Sequence, residues 1–203
     1  MKETGRLAAE VARAVLNAEL EYVRWTREYS TLDMGCENLL STSVARAASA
    51  FYGVCGNVTV FLEKPIRDIA EDSEWKSAPF GGRIDCAIYK GDSPFAIIEC
   101  KRKFAVSRFQ KDAQRCIDLL NQSPSTLKCA LLAGLRGINV GDKHNRAEIV
   151  QSIRDDLRAK HPDFRIEATT VLQELPMPVP YDDDGIERVW TAALAGCLTI
   201  ERK

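Results

Sequence analysis

GRIDCAIYKGDSPFAIIECK, residues 82–101, consists of two apolar segments, 82–90 and 94–101, separated by Gly91, Asp92 and Ser93. Gly, Asp and Ser between β-prone runs are turn-forming residues, so the stretch predicts a hairpin with Pro94 at the start of its second strand. If a three-residue turn closes it, Lys90 pairs with Pro94 and the register sets Asp85 opposite Glu99. Directly opposed side chains have Cβ atoms about 4.5–5.5 Å apart, and two like charges there destabilise a sheet unless something offsets them. A divalent cation between the carboxylates would do so. Lys101, two residues on, falls on the same face about 6.6 Å further along the strand. Cys86 and Cys100 fall on the opposite face and are expected in the core.

Working outward, Glu37 to Tyr52 places Leu40, Val44, Ala47, Ala48 and Phe51 on one helical face, with Gly53 where a C-terminal stop is expected. Val58 to Leu62 reads as a strand, followed by a looser stretch from Pro65 to Phe80. After the hairpin, Phe109, Ala113, Cys116, Ile117 and Leu120 mark an amphipathic helix, begun by a capping box of Ser107 and Gln110. Lys128 to Ala133 reads as a buried strand, Val150, Ile153 and Leu157 as a helix, and Phe164 to Leu172 as a strand. Pro176 to Pro180 with Asp182, Asp183 and Asp184 reads as a loop before a last short helix near Ile186 to Leu198. Upstream, Leu7, Val11, Ala14, Ala18, Tyr22, Trp25 and Tyr29 form one helical stripe, which either docks on its own domain or forms a homodimer contact.

Helices and strands mixed in this order predict an α/β sandwich, a central sheet covered by helices on both sides. The 203 residues, 45% hydrophobic and 28% charged, suffice for a single domain with its own core. The apolar runs are too short to span a bilayer, and residues 1–10 lack a signal-peptide stretch, so a soluble cytoplasmic protein is expected. Seven cysteines without a C-x-x-C pair, and two histidines distant from them in sequence, give no zinc-ligand spacing and suggest reduced core thiols. The net charge of −1 offers no overall attraction to nucleic acid, but Lys101, Arg102, Lys103, Arg108, Lys111 and Arg115 against Asp112 make one basic segment.

The two carboxylates and the lysine suit phosphodiester hydrolysis. That reaction needs a hard cation on the phosphate, an activated water and stabilisation of the departing oxygen. Lys101 would orient or help deprotonate the water, or shield the transition state. Glu37 lies on the stripe of its helix that faces the sheet and is a third candidate acid; its alternative role is to complement the helix dipole. Glu63 reads as a solvated strand end. Arg102, Lys103, Arg108 and Lys111 are candidate phosphate contacts, Gln114 a further nucleic-acid candidate, and the loop around Trp75 a candidate substrate contact.

Gly82-Arg83-Ile84-Asp85, then thirteen residues, then Glu99-Cys100-Lys101 resembles the PD-(D/E)xK nuclease superfamily, the restriction-endonuclease-like fold. The resemblance covers about residues 35–134 in the order αβββαβ; the helix over 5–30 and the segment 140–203 would elaborate that core within one domain. It implies a Mg²⁺-dependent nuclease, Mn²⁺ substituting, acting on nucleic acid, usually DNA. Asp85 and Glu99 would be metal ligands, Lys101 the catalytic lysine, and Glu37 the helical acid that many members carry. Ile84 stands where the motif's name has proline. The alternatives are a catalytically silent member of the fold that binds nucleic acid or protein, and an unrelated α/β protein with a surface ion-pair cluster.

Overall fold

The computed structural model describes residues 2–27, 29–31, 37–53, 57–102, 106–122, 125–138, 148–183 and 186–203; of 106–108, 181–183 and 186–188 it describes the backbone. The elements in chain order are α1 (Glu3–Thr26), α2 (Glu37–Tyr52), β1 (Val58–Pro65), α3 (Ile66–Asp72), β2 (Arg83–Lys90), β3 (Ser93–Lys101), α4 (Val106–Leu120), β4 (Cys129–Ile138), α5 (Glu148–Lys160), β5 (Phe164–Asp183) and β6 (Ile186–Arg202). The six strands form one sheet in the order β1-β2-β3-β4-β6-β5. β3 and β4 run parallel and every other pair antiparallel. Helices α1 and α2 cover one face, packing on Cys86, Ile88, Ile98, Cys100, Leu131 and Cys197. Helices α3, α4 and α5 cover the other, on Ala87, Ile97, Leu132 and Leu198. The chain is thus α/β, with a mixed sheet flanked by helices.

Local chemistry accounts for the helix ends. Gly53, at φ 72°, ends α2 in the left-handed region, its N–H reaching the Ser49 carbonyl at 3.1 Å. The apolar stripe of α1 is buried within its own chain up to Val23, against α2 and the strands β4, β5 and β6. Only the end of the stripe, Trp25 and Tyr29, stands exposed. Glu19, buried on the same helix, accepts from the Ser30 hydroxyl at 2.5 Å and from the Thr31 N–H at 3.0 Å, holding the chain that leaves α1.

The hairpin differs from its expected closure yet keeps the expected register. Gly91 and Asp92 alone make the turn, with Lys90 opposite Ser93 and Gly91 at φ 63°, the first central position where a two-residue turn favours glycine. A bulge then takes up Phe95: Tyr89 faces Pro94, but Ile88 faces Ala96. From there the pairing runs Ala87 to Ile97 and Cys86 to Ile98, so the next step carries Asp85 to Glu99. The Lys90 ammonium lies 3.6 Å from the centroid of the bulged Phe95 ring, a cation–π contact at the bend.

Residues 176–198 are a correction. Instead of a loop and a helix, 176–183 and 186–198 belong to the strands β5 and β6; Asp184 lies outside the described residues. β6 lies between β4 and β5 and is covered on both faces, so Ala192 to Ile200 is almost uniformly apolar and shows no alternation. Pro176, Pro178 and Pro180 are tolerated because β5 is an edge strand whose pairing slips between Glu174 and Val179. Within the stretch read as loose, Ile66, Ile69 and Ala70 make α3, and Trp75 is buried in the core rather than offered to a substrate. Among the described residues, no helix is long and apolar enough to cross a membrane.

The far end of the sheet closes with Trp190 laid over Gly137, where an added Cβ would come 2.1 Å from the indole. Gly137→Ala is expected to destabilise the fold by about 1–3 kcal/mol or more through overpacking, read as a lowered urea midpoint. An unchanged midpoint would mean that the indole has room to move.

Candidate active site

The β2–β3 ladder ends at Cys86 and Ile98, and a side chain takes over from the backbone beyond it. Asp85 accepts the Cys100 N–H at 2.6 Å through Oδ2, and its carboxyl lies within hydrogen-bonding reach of Glu99. Glu99 comes from the middle of the sheet, on a strand flanked by β2 and β4, and is 1% exposed. Lys101 lies on the same side, its ammonium 3.8 Å from Glu99 and 3.7 Å from Asp112 on α4. The three residues predicted from the hairpin are therefore brought together.

Helix α4 supplies two members that sequence reasoning had not placed in the site. Asp112 holds Lys101, and Arg115 lies 3.4 Å from Glu99. Arg115 also donates to the Arg83 carbonyl at 2.6 Å and lies over the Phe80 ring. Their signal was the helical period: Phe109, Ala113 and Cys116 point at the sheet, so 112 and 115 flank that stripe and overlook β3. Glu63, read as a solvated strand end, is exposed, yet the sheet brings it level with the acids. In the β1–β2 ladder Leu62 faces Cys86 and Lys64 faces Ile84, which sets Glu63 level with Asp85. Its φ of 51° departs from strand geometry, and its charge reaches Asp85.

Other predicted members fall elsewhere. Glu37, in the first turn of α2, reaches Lys101 by charge, but no grouping with Asp85 and Glu99 is formed. Gln110 donates to Asp156 on α5 at 2.6 Å and so links two helices; the side chain of Ser107, its expected capping partner, lies outside the described residues. Gln114 is exposed and donates to Asp118. Lys111 is exposed and Arg102 half-buried; Lys103 and the Arg108 side chain lie outside the described residues. Cys86 and Cys100 are buried under α1 and α2, and the Cys86 thiol meets the Ser41 carbonyl at 3.4 Å.

The electrostatics are lopsided. Burial pushes Glu99's carboxyl up to about 8, and Asp85's charge adds to the rise while Arg115 and Lys101 oppose it. Burial likewise raises Asp85, against the pull of the Cys100 N–H and Lys101. For Lys101, burial acts downward, but Glu99, Asp112, Asp85 and Glu37 outweigh it and hold the ammonium above its ordinary range. Glu99 Oε1 is buried with no hydrogen bond: Arg115 supplies charge at 3.4 Å without bonding geometry. An orphaned carboxylate oxygen of this kind is costly unless a ligand completes it.

That oxygen tests the fit of a cation. Among the described residues, no three His, Cys, Asp or Glu side chains are grouped to hold a metal by themselves. At these acids, structural zinc or an all-protein calcium cage does not fit. Mg²⁺ does, because it binds through one or two carboxylates and fills its shell with water and phosphate oxygens. No protein-family model matches the sequence, and no curated protein matches it.

Both raised carboxyls favour the protonated form in the fold. The stability this gives is complete below the unfolded carboxyl range and is lost as pH rises, for Glu99 between about 4.5 and about 8. The metal-free protein should therefore show a falling urea midpoint from pH 5 to 8.5, and Glu99→Gln should flatten the slope. A flat wild-type profile would mean that Glu99 ionises as readily in the fold as in the unfolded chain.

Proposed function

We propose that this chain hydrolyses phosphodiester bonds of nucleic acid, most readily DNA, as a Mg²⁺-dependent nuclease with Mn²⁺ as substitute, on a restriction-endonuclease-like core. The observation that carries the reading is the buried Glu99 oxygen without a hydrogen-bond partner, beside Asp85 and on the side of the sheet that carries Lys101. A purely structural ion cluster would tend towards balance. When Glu99 ionises, Asp85, Glu99 and Asp112 share two cations, Lys101 and Arg115, so the ionised cluster has room for one further positive charge.

Asp85 and Glu99 would hold the ion. When bound, Mg²⁺ supplies charge neutralisation at the phosphate and a more acidic water. The chain's own residues divide the remaining work. Lys101, held among the acids around it, would shield charge developing on the phosphate. Asp112 fixes the lysine's ammonium, and Arg115, anchored on the Arg83 carbonyl, orients Glu99.

Asp85→Ala and Lys101→Ala are each expected to lower Mg²⁺-dependent cleavage of plasmid DNA by about 10²-fold or more, with unchanged circular dichroism. Undiminished cutting by the double variant would overturn the assignment. A panel of linear, circular, single-stranded and branched DNA with RNA controls identifies the substrate. Calorimetry that detects neither Mg²⁺ nor Mn²⁺ binding would favour a silent nucleic-acid-binding member of the fold.

Metal binding must displace protons from the raised carboxyls. Saturating Mg²⁺ is accordingly expected to raise Tm more at pH 8.5 than at pH 6, and not at all in Asp85→Asn. An equal rise in the variant would place the ion elsewhere.

A further inference from the structure

Of the half-buried lysines and arginines among the described residues, Arg136 alone makes no hydrogen bond or ion pair. Lys64, Lys101, Arg115, Arg154 and Arg158 each hold an acid of their own chain. A guanidinium taken part of the way out of water without an anion is disfavoured, and an apolar residue like its cross-strand neighbour Leu194 would suit the strand better. Its place in the sheet supplies a reason. The pairing of β3 with β4 ends at Lys101 and Gly134, while β4 runs on to Ile138. Leu132, opposite Glu99, and Ile138 both lie in the core under α3, α4 and α5, so alternation puts Arg136 on that same face, with Glu99 and Lys101. Two residues past Gly134 and one strand over from Lys101, its Cα stands about 8 Å from the lysine's. Among the described residues no strand crosses between them.

From this placement we infer that Arg136 binds a second phosphate of the substrate, the neighbour of the phosphodiester held at Asp85, Glu99 and Lys101. The inference rests on the nuclease reading for the position of the first phosphate. A guanidinium presents paired N–H donors that match two phosphate oxygens, and it stays charged at any working pH. Lys101 and Arg115 are engaged by Asp112 and Glu99, whereas Arg136 carries a charge that no acid of the chain has taken. Phosphate contacts of this kind position a nucleic acid without reading its sequence. The site accordingly takes a chain with phosphate beyond the bond to be cut, rather than an isolated phosphodiester.

The test compares Arg136→Gln and Arg136→Lys with a control, Lys128→Gln, which alters an exposed cation at the opposite end of β4. Binding of a labelled twelve-base-pair DNA is followed by fluorescence anisotropy in EDTA, so that no cleavage is needed. Arg136→Gln is expected to bind at least tenfold more weakly, with the slope of log affinity against log salt shallower by about 0.9, one phosphate contact on a duplex. Arg136→Lys should keep the wild-type slope, and Lys128→Gln should leave slope and affinity unchanged. With the same DNA in Mg²⁺, Arg136→Gln should raise KM at least tenfold and leave kcat within about twofold, the pattern of lost uniform binding. An unchanged slope, a loss shared by Lys128→Gln, or light scattering in which Arg136→Gln changes the particle mass, the mark of a second copy on the guanidinium, would each overturn it. Cleavage tells the two readings apart. DNA bound through Arg136 but not cut sinks the nuclease reading alone, and cutting with KM unmoved in Arg136→Gln sinks the second phosphate contact alone.

Discussion

A carboxylate on a strand inside the sheet, 1% exposed, is the constraint around which this end of the molecule is organised. Taking an ionised Glu99 out of water costs several kcal/mol, and the neighbours return only part of it. Arg115 approaches without bonding, Lys101 divides its charge between Glu99 and Asp112, and Asp85 adds repulsion. An apolar residue would make a more stable strand. Under the proposed function Glu99 is explained by what it does when a cation is present, and a perturbed acid beside a second acid is the usual mark of a functional site.

The core of the site was legible because strand periodicity is rigid. Alternation alone placed Asp85, Glu99 and Lys101 on one face and Cys86 and Cys100 on the other. The turn was expected with one residue too many, but the Phe95 bulge restored the register. What could not be read lay on elements whose packing the sequence leaves open. Arg115 and Asp112 counted as members of a charge run until α4 was placed over β3, and Glu63 needed the β1–β2 register. Placement on β3 also spends part of the basic segment: Lys101 and Arg115 are engaged with acids of their own chain, which leaves less charge for a polyanion than the sequence count suggests.

The C-terminal third was misread for a different physical reason. A strand buried on both faces loses the period of two, and spacings of three and four within Ile186 to Leu198 then imitate a helix. Three prolines before it reinforced a loop reading, although an edge strand tolerates proline where its ladder slips. The added β5–β6 hairpin gives β4 a second neighbour and α1 a floor, so the strand beside Glu99 is itself fixed on both sides.

The sheet opens where the acids stand. Pairing between β2 and β3 stops one step short of Asp85, and β1 departs from strand geometry at Glu63, the position level with it. Both irregularities fall on one row across three strands, so the row Glu63, Asp85, Glu99 combines clustered negative charge with broken backbone pairing. Each effect favours the other. Facing carboxylates disfavour close strand pairing, and where the β2–β3 ladder ends Asp85 accepts the Cys100 N–H in its place. Under the proposed function, a cation drawn to that row would relieve the repulsion where the β2–β3 ladder has already ended.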